Sequence, residues 1–561
     1  MLKFMARHKI LSGIAIVILV LFLTAFAYVR YKMQGSHREY AIDFVLPDAG
    51  GWDSVENLEV GVAVRDVTPS FEDKDTWVDV DGDGKFTKGV DEWHDLNGNG
   101  KMDFVWIAGF DMSRPAMGVN DPLWSRAMAF RNNGVTIVMV SIDSIGITYD
   151  RYITIRKMIH EANPDIDHVV FAVTHSHEAP DTMGIWSYSL LWRSLFDEDY
   201  MTMLKEKTRD AVLEAVENLQ PADTVIATGY VPEENFIRDS REPFVMDHQL
   251  PLAWFKEKGT DNTIAILTSW GMHPEAAGSK NLMISSDFVH YFRDALENGL
   301  EGPGAFEGFG GKCVFFAGPL GGLMNQLRIE ITDRFGTPFK EESLGKAQAQ
   351  GENLAIIAAN ALRSAEARPM TEHQVAVSAQ TFFLTMGWPF KAALYLGIVH
   401  PGIYNGQAKS EINALRIGEI EIVTTPGEIF PEIVFGGIEN PEGADFKIDP
   451  VEVPPFFEVM KGALKMNFNL ANDEIGYIVP KSQWDQKAPY TYGRDKAPYG
   501  EMYTGNPEVA PGIHRITMDV LGRLHASLDE MPAVEAVEAV DTVEAVESVE
   551  AAETGENVEA V

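Results

Sequence analysis

Apolar residues follow two different patterns along this chain. Residues 10–29 carry no charge and are interrupted only by Ser12, Gly13 and Thr24. At ~1.5 Å per residue this run reaches ~30 Å, one bilayer crossing, and it predicts a single N-terminal transmembrane helix. Between about Asn57 and Leu528 the apolar residues come in short bursts instead. The runs 135–142, 169–173, 263–269, 313–316, 375–384 and 417–424, several of them β-branched and bounded by polar or Gly/Pro residues, predict buried strands. Residues 152–162 read as an amphipathic helix between the first two strands, a βαβ-like unit, and 345–365 as an Ala-rich helix. No long linker or internal repeat interrupts this stretch, so the expectation is one large α/β domain of mixed β-sheets flanked by helices. From Ala533 onward the valines at 534, 537, 540, 543, 546 and 549 recur every third residue. That spacing drifts around a 3.6-residue helix and leaves no lasting stripe, so 533–561 reads as a disordered or transiently helical acidic tail. The resulting divisions are 1–40 for the membrane segment, 57–528 for the domain and 533–561 for the tail.

Charge narrows the partners. The 561 residues hold 46 Lys+Arg against 83 Asp+Glu, a formal charge of −37, and the tail accounts for nine of the excess negative charges. Nucleic-acid binding depends on Lys and Arg neutralising phosphates, so this balance excludes it as the expected function. Lys3, Arg7 and Lys9 precede the apolar run and Arg30, Lys32 and Arg38 follow it, which leaves orientation unsettled by charge. Ala25-Phe26-Ala27 would suit signal cleavage, whereas the length of the run favours an uncleaved anchor. The expectation is a membrane-anchored domain outside the cytoplasm, periplasmic or extracellular, or a secreted one if the segment is cleaved. Cys313 is the single cysteine and sits in an apolar run, which makes it a buried small hydrophobe and rules out an intrachain disulfide.

Two features carry candidate chemistry. Within 73–104, Asp79, Asp81 and Asp83 occupy positions 1, 3 and 5 of a loop with Gly84 at position 6, the spacing of an EF-hand calcium loop. Asp95, Asn97, Asn99 and Asp103 repeat it, and Asp91 and Glu92 lie between as further candidate ligands. Position 12 of the first loop is Val90, and flanking helices are not evident, so this is a calcium-loop-like insertion and not an EF-hand; the alternative is a solvated acidic loop. The second feature is where polar residues follow strands. The 169–173 run leads into Thr174-His175-Ser176-His177, 263–269 leads to His273, and 420–423 leads to Glu428. Alternate residues of an extended chain share a face, so His175 and His177 are placed to reach one site. In α/β proteins ligands collect beyond the carboxyl ends of strands. Neutral imidazole with carboxylate is the set that zinc uses when one position stays open. Taken singly, a structural H-x-H and an ordinary first-turn glutamate remain open readings.

The motifs together resemble the neutral/alkaline, non-lysosomal ceramidases, zinc-dependent amidases that cleave the N-acyl bond of ceramide. They are Val60-Gly61-Val62-Ala63-Val64-Arg65-Asp66-Val67-Thr68-Pro69, Gly109-Phe110, Thr174-His175-Ser176-His177, Trp270-Gly271-Met272-His273-Pro274, Ile284-Ser285-Ser286-Asp287, Pro426-Gly427-Glu428 and Leu470-Ala471-Asn472-Asp473-Glu474-Ile475-Gly476-Tyr477. The resemblance implies zinc held by His175, His273, Glu428 and Tyr477, with His177 facing the substrate amide outside the ligands. It implies catalytic roles for His177, Tyr477 and Arg238 and substrate contacts from Arg238 and Tyr490. Without it Tyr477 reads as core. The family's serine-bearing Gly-Asp-x-Ser-Pro-Asn loop is replaced by Gly318-Pro319-Leu320-Gly321-Gly322-Leu323-Met324-Asn325, so Gly321 offers no hydroxyl. The implied activity is metal-activated hydrolysis of the N-acyl amide of ceramide or a related lipid. The alternatives are another amide or ester substrate, or a membrane-tethered metal-containing binding module without catalysis.

Overall fold

The structure, a computed structural model, describes residues 9–32, 35–48, 57–187, 189–190, 193–194, 196–388, 391–392, 403–404 and 407–531. The acidic tail predicted at 533–561 lies outside the described residues. The apolar run forms helix α1 (Lys9–Lys32), whose stretch Gly13–Tyr31 is long and apolar enough to cross a membrane and is not buried against the rest of the chain.

The body begins with β1 (Asp43–Leu46), β2 (Glu59–Asp66), β3 (Trp124–Asn132), β4 (Val135–Ile142), α2 (Tyr149–Ala162), β5 (His168–Val173) and α3 (Glu198–Glu217). It continues through β6 (Gln220–Tyr230), β7 (Gln249–Glu257), β8 (Thr263–Trp270), α4 (Phe288–Asn298), β9 (Lys312–Ala317) and α5 (Leu344–Leu362). The last elements are β10 (Val375–Thr385), β11 (Gln407–Ile417), β12 (Ile420–Thr424), β13 (Leu464–Phe468) and α6 (Val509–Asp529). The strand runs read from the sequence are present with one exception. Residues 417–424 are not one strand, because Gly418 takes φ +55° and turns the chain so that Ile417 pairs with Ile420 across a two-residue hairpin. A β-carbon at Gly418 would stand 2.2 Å from the Glu372 carbonyl oxygen, so no other residue fits there.

A large sheet runs β5-β4-β3-β2-β6-β7-β8-β9, with the short strand Arg368–Pro369 on β6. A second runs β1-β10-β11-β12-β13, with Ile403–Tyr404 on β11. Residues from the two sheets interdigitate in one apolar layer, in which Phe316 and Phe468 stack with centroids 3.9 Å apart. Helices cover the outer face of the large sheet, and α6 covers that of the second, so the layers run helix, sheet, sheet, helix. Within these two sheets the parallel pairs are β4 with β5, β8 with β9, and β12 with β13. β4 and β5 are buried at every position, which accounts for their unbroken apolar sequences. β2 and β6 are joined by only two residue pairs. The sheet bends there, and β9 meets β3 and β4 from the other end: Ser141 Oγ donates to Phe315 O (2.5 Å) and Arg126 Nη1 to Cys313 O (2.9 Å). That bend brings the ends of β5 and β8 together. Cys313 is buried, as its apolar neighbours predict.

Candidate metal centre

Four chain segments that leave strand ends build the centre. After β5 the chain turns at His175, which takes φ +66°, a conformation rare for a residue with a side chain. The two imidazoles of the His-x-His segment therefore meet through a sharp turn and not through the alternation of an extended strand; their ring centroids are 5.0 Å apart. The segment after β8 adds His273, at 5.1 Å from the His175 ring and 5.6 Å from the His177 ring. All three are buried, and they place one ligand atom each within 4.8 Å of one another. Beyond β12, Glu428 pairs in parallel register with Tyr477. Its Oε2 lies 3.0 Å from His273 Nε2 and 3.7 Å from His175 Nε2. Tyr477 hydrogen-bonds to the Glu428 carboxylate.

Backbone carbonyls set the tautomers. His175 Nδ1 donates to Ile145 O (2.6 Å), which leaves the lone pair of its Nε2 facing the centre, and His273 Nδ1 donates to Met324 O (2.8 Å), which turns its Nε2 toward Glu428. This is how metal-ligating histidines are ordinarily oriented. Burial pulls the pKa of His175 down to about 4 and that of His177 well below the usual imidazole value, which keeps both rings neutral. Burial also pulls on His273, but its hydrogen bond to Glu428 and the neighbouring carboxylates carry it upward. The same histidines hold Glu428 low against its own burial. The donors therefore fit a divalent metal: imidazoles whose Nδ1 atoms are held by carbonyls, an ionised carboxylate and a phenol in one buried pocket. Neither ring nitrogen of His177 makes a hydrogen bond, although both are buried.

Residues other than the predicted ligands complete the site, and the sequence did not single out Glu275 or Arg114 among them. Glu275, two residues past His273, is buried with Oε2 3.4 Å from His177 Nδ1, and burial pushes its carboxyl up to about 7. Arg114 is fully buried; it donates to Glu178 (3.0 Å) and to the carbonyls of Ala108 (3.1 Å), His177 (3.4 Å) and Asn281 (2.9 Å), which locks the loop that bears His177. Gly109 packs so close to this loop that a β-carbon would meet the His177 ring at 2.5 Å, and Phe110 lies edge-on to that ring at 4.9 Å. The Ile-Ser-Ser-Asp motif is a brace. Ser285 O accepts from Ser176 Oγ (2.8 Å), and the Asp287 carboxylate accepts from Ala277 N (2.8 Å) beyond His273. Position 275 adjoins a predicted ligand and offered that signal; nothing distinguished Arg114.

Arg238 and Tyr490 line two separate cavities. Arg238 is exposed and lines a surface cavity of about 1000 Å³ with residues of 232–246 and 329–332, a lining that holds none of the three histidines. Its backbone bridges Asn325, one residue from the carbonyl that orients His273. Tyr490 lines another cleft with residues of 439–447. The tyrosine that packs on Tyr477 is Tyr499, with centroids 6.0 Å apart. In the insertion, Asp79, Asp81 and Asp91 bring carboxylate oxygens within 4.8 Å of one another. Asp83 is outside that group and accepts from Lys85 N (2.8 Å), and Glu92 is exposed on a short strand. In the second loop Asp95 accepts from Asn99 N and Gly100 N, and Asp103 accepts from the side chains of Asn97 and Asn99 (3.0 and 2.8 Å).

No protein-family model matches the sequence, and no curated protein matches it. Solved structures do match, two of them over most of the chain as follows. One, titled "Ceramidase complexed with C2", is 14% identical with a TM-score of 0.59 and covers 84% of this chain and 76% of its own. The other, neutral ceramidase from Pseudomonas aeruginosa, is 15% identical with a TM-score of 0.60 and covers 86% of this chain and 76% of its own. This chain has a ceramidase-like fold, of mixed sheets flanked by helices with three histidines gathered beyond the strand ends.

Proposed function

We propose that this protein is a zinc-dependent hydrolase that cleaves the N-acyl amide of ceramide or a related lipid, anchored by its N-terminal helix with the domain outside the cytoplasm. The observation that carries this reading is the pair of imidazoles oriented through Nδ1 by backbone carbonyls beside an ionised Glu428. His175, His273, Glu428 and Tyr477 would hold the metal. Bound zinc supplies a Lewis acid and lowers the pKa of water toward ~7. His177, neutral through burial, is placed to accept a proton and deliver it to the leaving amine. Glu275 stands at its Nδ1 and orients the ring as it gains charge. Tyr477, kept protonated by burial, donates to Glu428 and fixes that carboxylate. Arg238, proposed to serve catalysis as well, and Tyr490 would contact the substrate. The two Asp/Asn loops are assigned to structural calcium, which extracellular fluids supply at the concentrations that weak loops need.

The test is release of fatty acid from N-acyl sphingosine by the detergent-solubilised full chain after chelation and zinc readdition, with bound zinc measured alongside. Zinc should restore the activity, and His175→Ala should lose both zinc and at least ~10²-fold of the rate. Bound zinc with intact ceramide would overturn the substrate and leave hydrolysis of another amide or ester, the reading that Gly321 in place of the serine favours. Absence of zinc binding would overturn the enzyme assignment.

A further inference from the structure

The last turn of chain after α1 is fixed to the body. Gly35 lies against the Tyr404 ring so closely that a β-carbon would stand 2.5 Å from it, His37 N donates to Tyr404 Oη (3.2 Å), and Ile42 N donates to Thr381 Oγ1 (3.0 Å). The membrane helix therefore enters the domain beside the outgoing end of β10, where Phe383 packs on Tyr404 at 6.4 Å. From that end the contacts lead to the metal centre. Gly387 N donates to Gly505 O (2.6 Å), Asn506 donates to Thr385 O, Tyr503 packs on Tyr499 at 4.6 Å, and Tyr499 packs on Tyr477. Along this path Phe383, Trp388, Tyr499, Met502 and Tyr503 are 47, 73, 52, 69 and 45% exposed. An aromatic and apolar rim thus joins the point where the anchor enters to the tyrosine that touches Glu428.

We infer that this rim is a membrane-docking lip, lying on the phospholipid bilayer that the N-terminal helix crosses, so that the metal centre opens toward the lipid surface. The inference rests on the anchor reading proposed above. Trp and Tyr are the residues that settle at a bilayer interface, apolar body inward and polar tip wet. The occupant is a bilayer and not a soluble partner, because the rim adjoins the emerging helix, whose apolar surface is unburied in the protein. A net charge of −37 makes electrostatic attraction to anionic lipids unfavourable, so contact has to come from apolar insertion.

The experiment uses the full chain in phosphatidylcholine vesicles, labelled with an environment-sensitive fluorophore at Met502→Cys or, as control, at Asp261→Cys in the exposed turn between β7 and β8. Cys313 is buried and stays unlabelled. Phosphatidylcholine bearing a nitroxide high on its acyl chain is the quencher. The Met502→Cys label should lose about half its emission or more while the Asp261→Cys label is unaffected. Equal, weak quenching at both positions in chain that stays with the vesicles overturns the lip and leaves the anchor. Loss of the chain from the vesicles overturns lip and anchor together. Hydrolysis of a water-soluble amide by the same preparations reports separately on the catalytic reading.

Discussion

Gly321 packs against the segment that carries Glu428: its N–H donates to Ile429 O (2.8 Å), and a β-carbon would meet Glu428 O at 2.3 Å. A serine cannot be restored here by substitution alone. Gly321→Ser should destabilise the protein by about 1–3 kcal/mol and weaken the proposed zinc binding, because the intruding side chain must displace the Glu428 backbone. Thermal melting and zinc titration check this, and unchanged zinc affinity would refute it. The same residues show what a sequence can disclose at this scale. His175, His177, His273 and Glu428 were legible because polar side chains directly after apolar strands are conspicuous. Glu275, Arg114 and the carbonyls of Ile145 and Met324 were not, since orientation by a main-chain oxygen leaves no mark on residue type. The extended His-x-His geometry was misread for a related reason: a left-handed φ at a histidine has no sequence signal.

Asp247 ties two elements together. Its carboxylate accepts from Gln249 N (3.1 Å) at the start of β7 and from Gly271 N (3.0 Å) just past β8, and its carbonyl accepts from Trp270 Nε1 (3.0 Å). Burial nevertheless pushes its pKa up to about 7. A carboxyl raised on folding binds its proton more tightly in the native state, so its contribution is full below about pH 4 and is lost as pH rises through about 7. Asp239 and Asp473, also near 7, and Asp287, near 6, add in the same direction. Glu411, held down to about 2 chiefly by the Arg156 guanidinium against its own burial, opposes them only at strong acidity. The raised carboxyls favour pH 5 over pH 8, with His175 and His177, kept neutral by burial, acting in the opposite sense, and Asp247 alone contributes a slope that favours the lower pH. Asp247→Asn should flatten that slope by at most about 1.4 kcal/mol per pH unit; an unaltered slope would count against it. At this scale the sequence was most readable, since strands buried on both faces are plain apolar runs. The hairpin at Gly418 was hidden because apolar residues continue on both sides of a two-residue turn.

Across the whole molecule the insertion has a small apolar core of its own, built from Trp77, Phe86, Met102, Phe104 and Trp106. It is bound to the body through Phe86 N to Ser113 O (2.7 Å) and Trp77 Nε1 to Pro115 O (3.1 Å), on either side of Arg114. Calcium in the loops should accordingly raise the melting temperature by a few degrees. Asp79→Asn or Asp91→Asn should abolish that shift, while Asp83→Asn, whose carboxylate caps Lys85 N, should retain most of it; calorimetry with and without chelator distinguishes them. The loop spacing was visible in the sequence, but the replacement of Asp83 by Asp91 in the cluster depends on how the short strands Thr76–Val78 and Glu92–His94 pair, which spacing does not encode.

The bonds that orient the centre span 30 residues from Ile145 to His175, 51 from His273 to Met324 and 155 from His273 to Glu428. Tyr477, which closes the pocket, lies still later in the chain. A ribosome that has made everything up to β12 has made no complete pocket. A metal held by these residues would thus be acquired after synthesis is nearly finished and, for a chain threaded unfolded across a membrane, from the compartment into which it emerges.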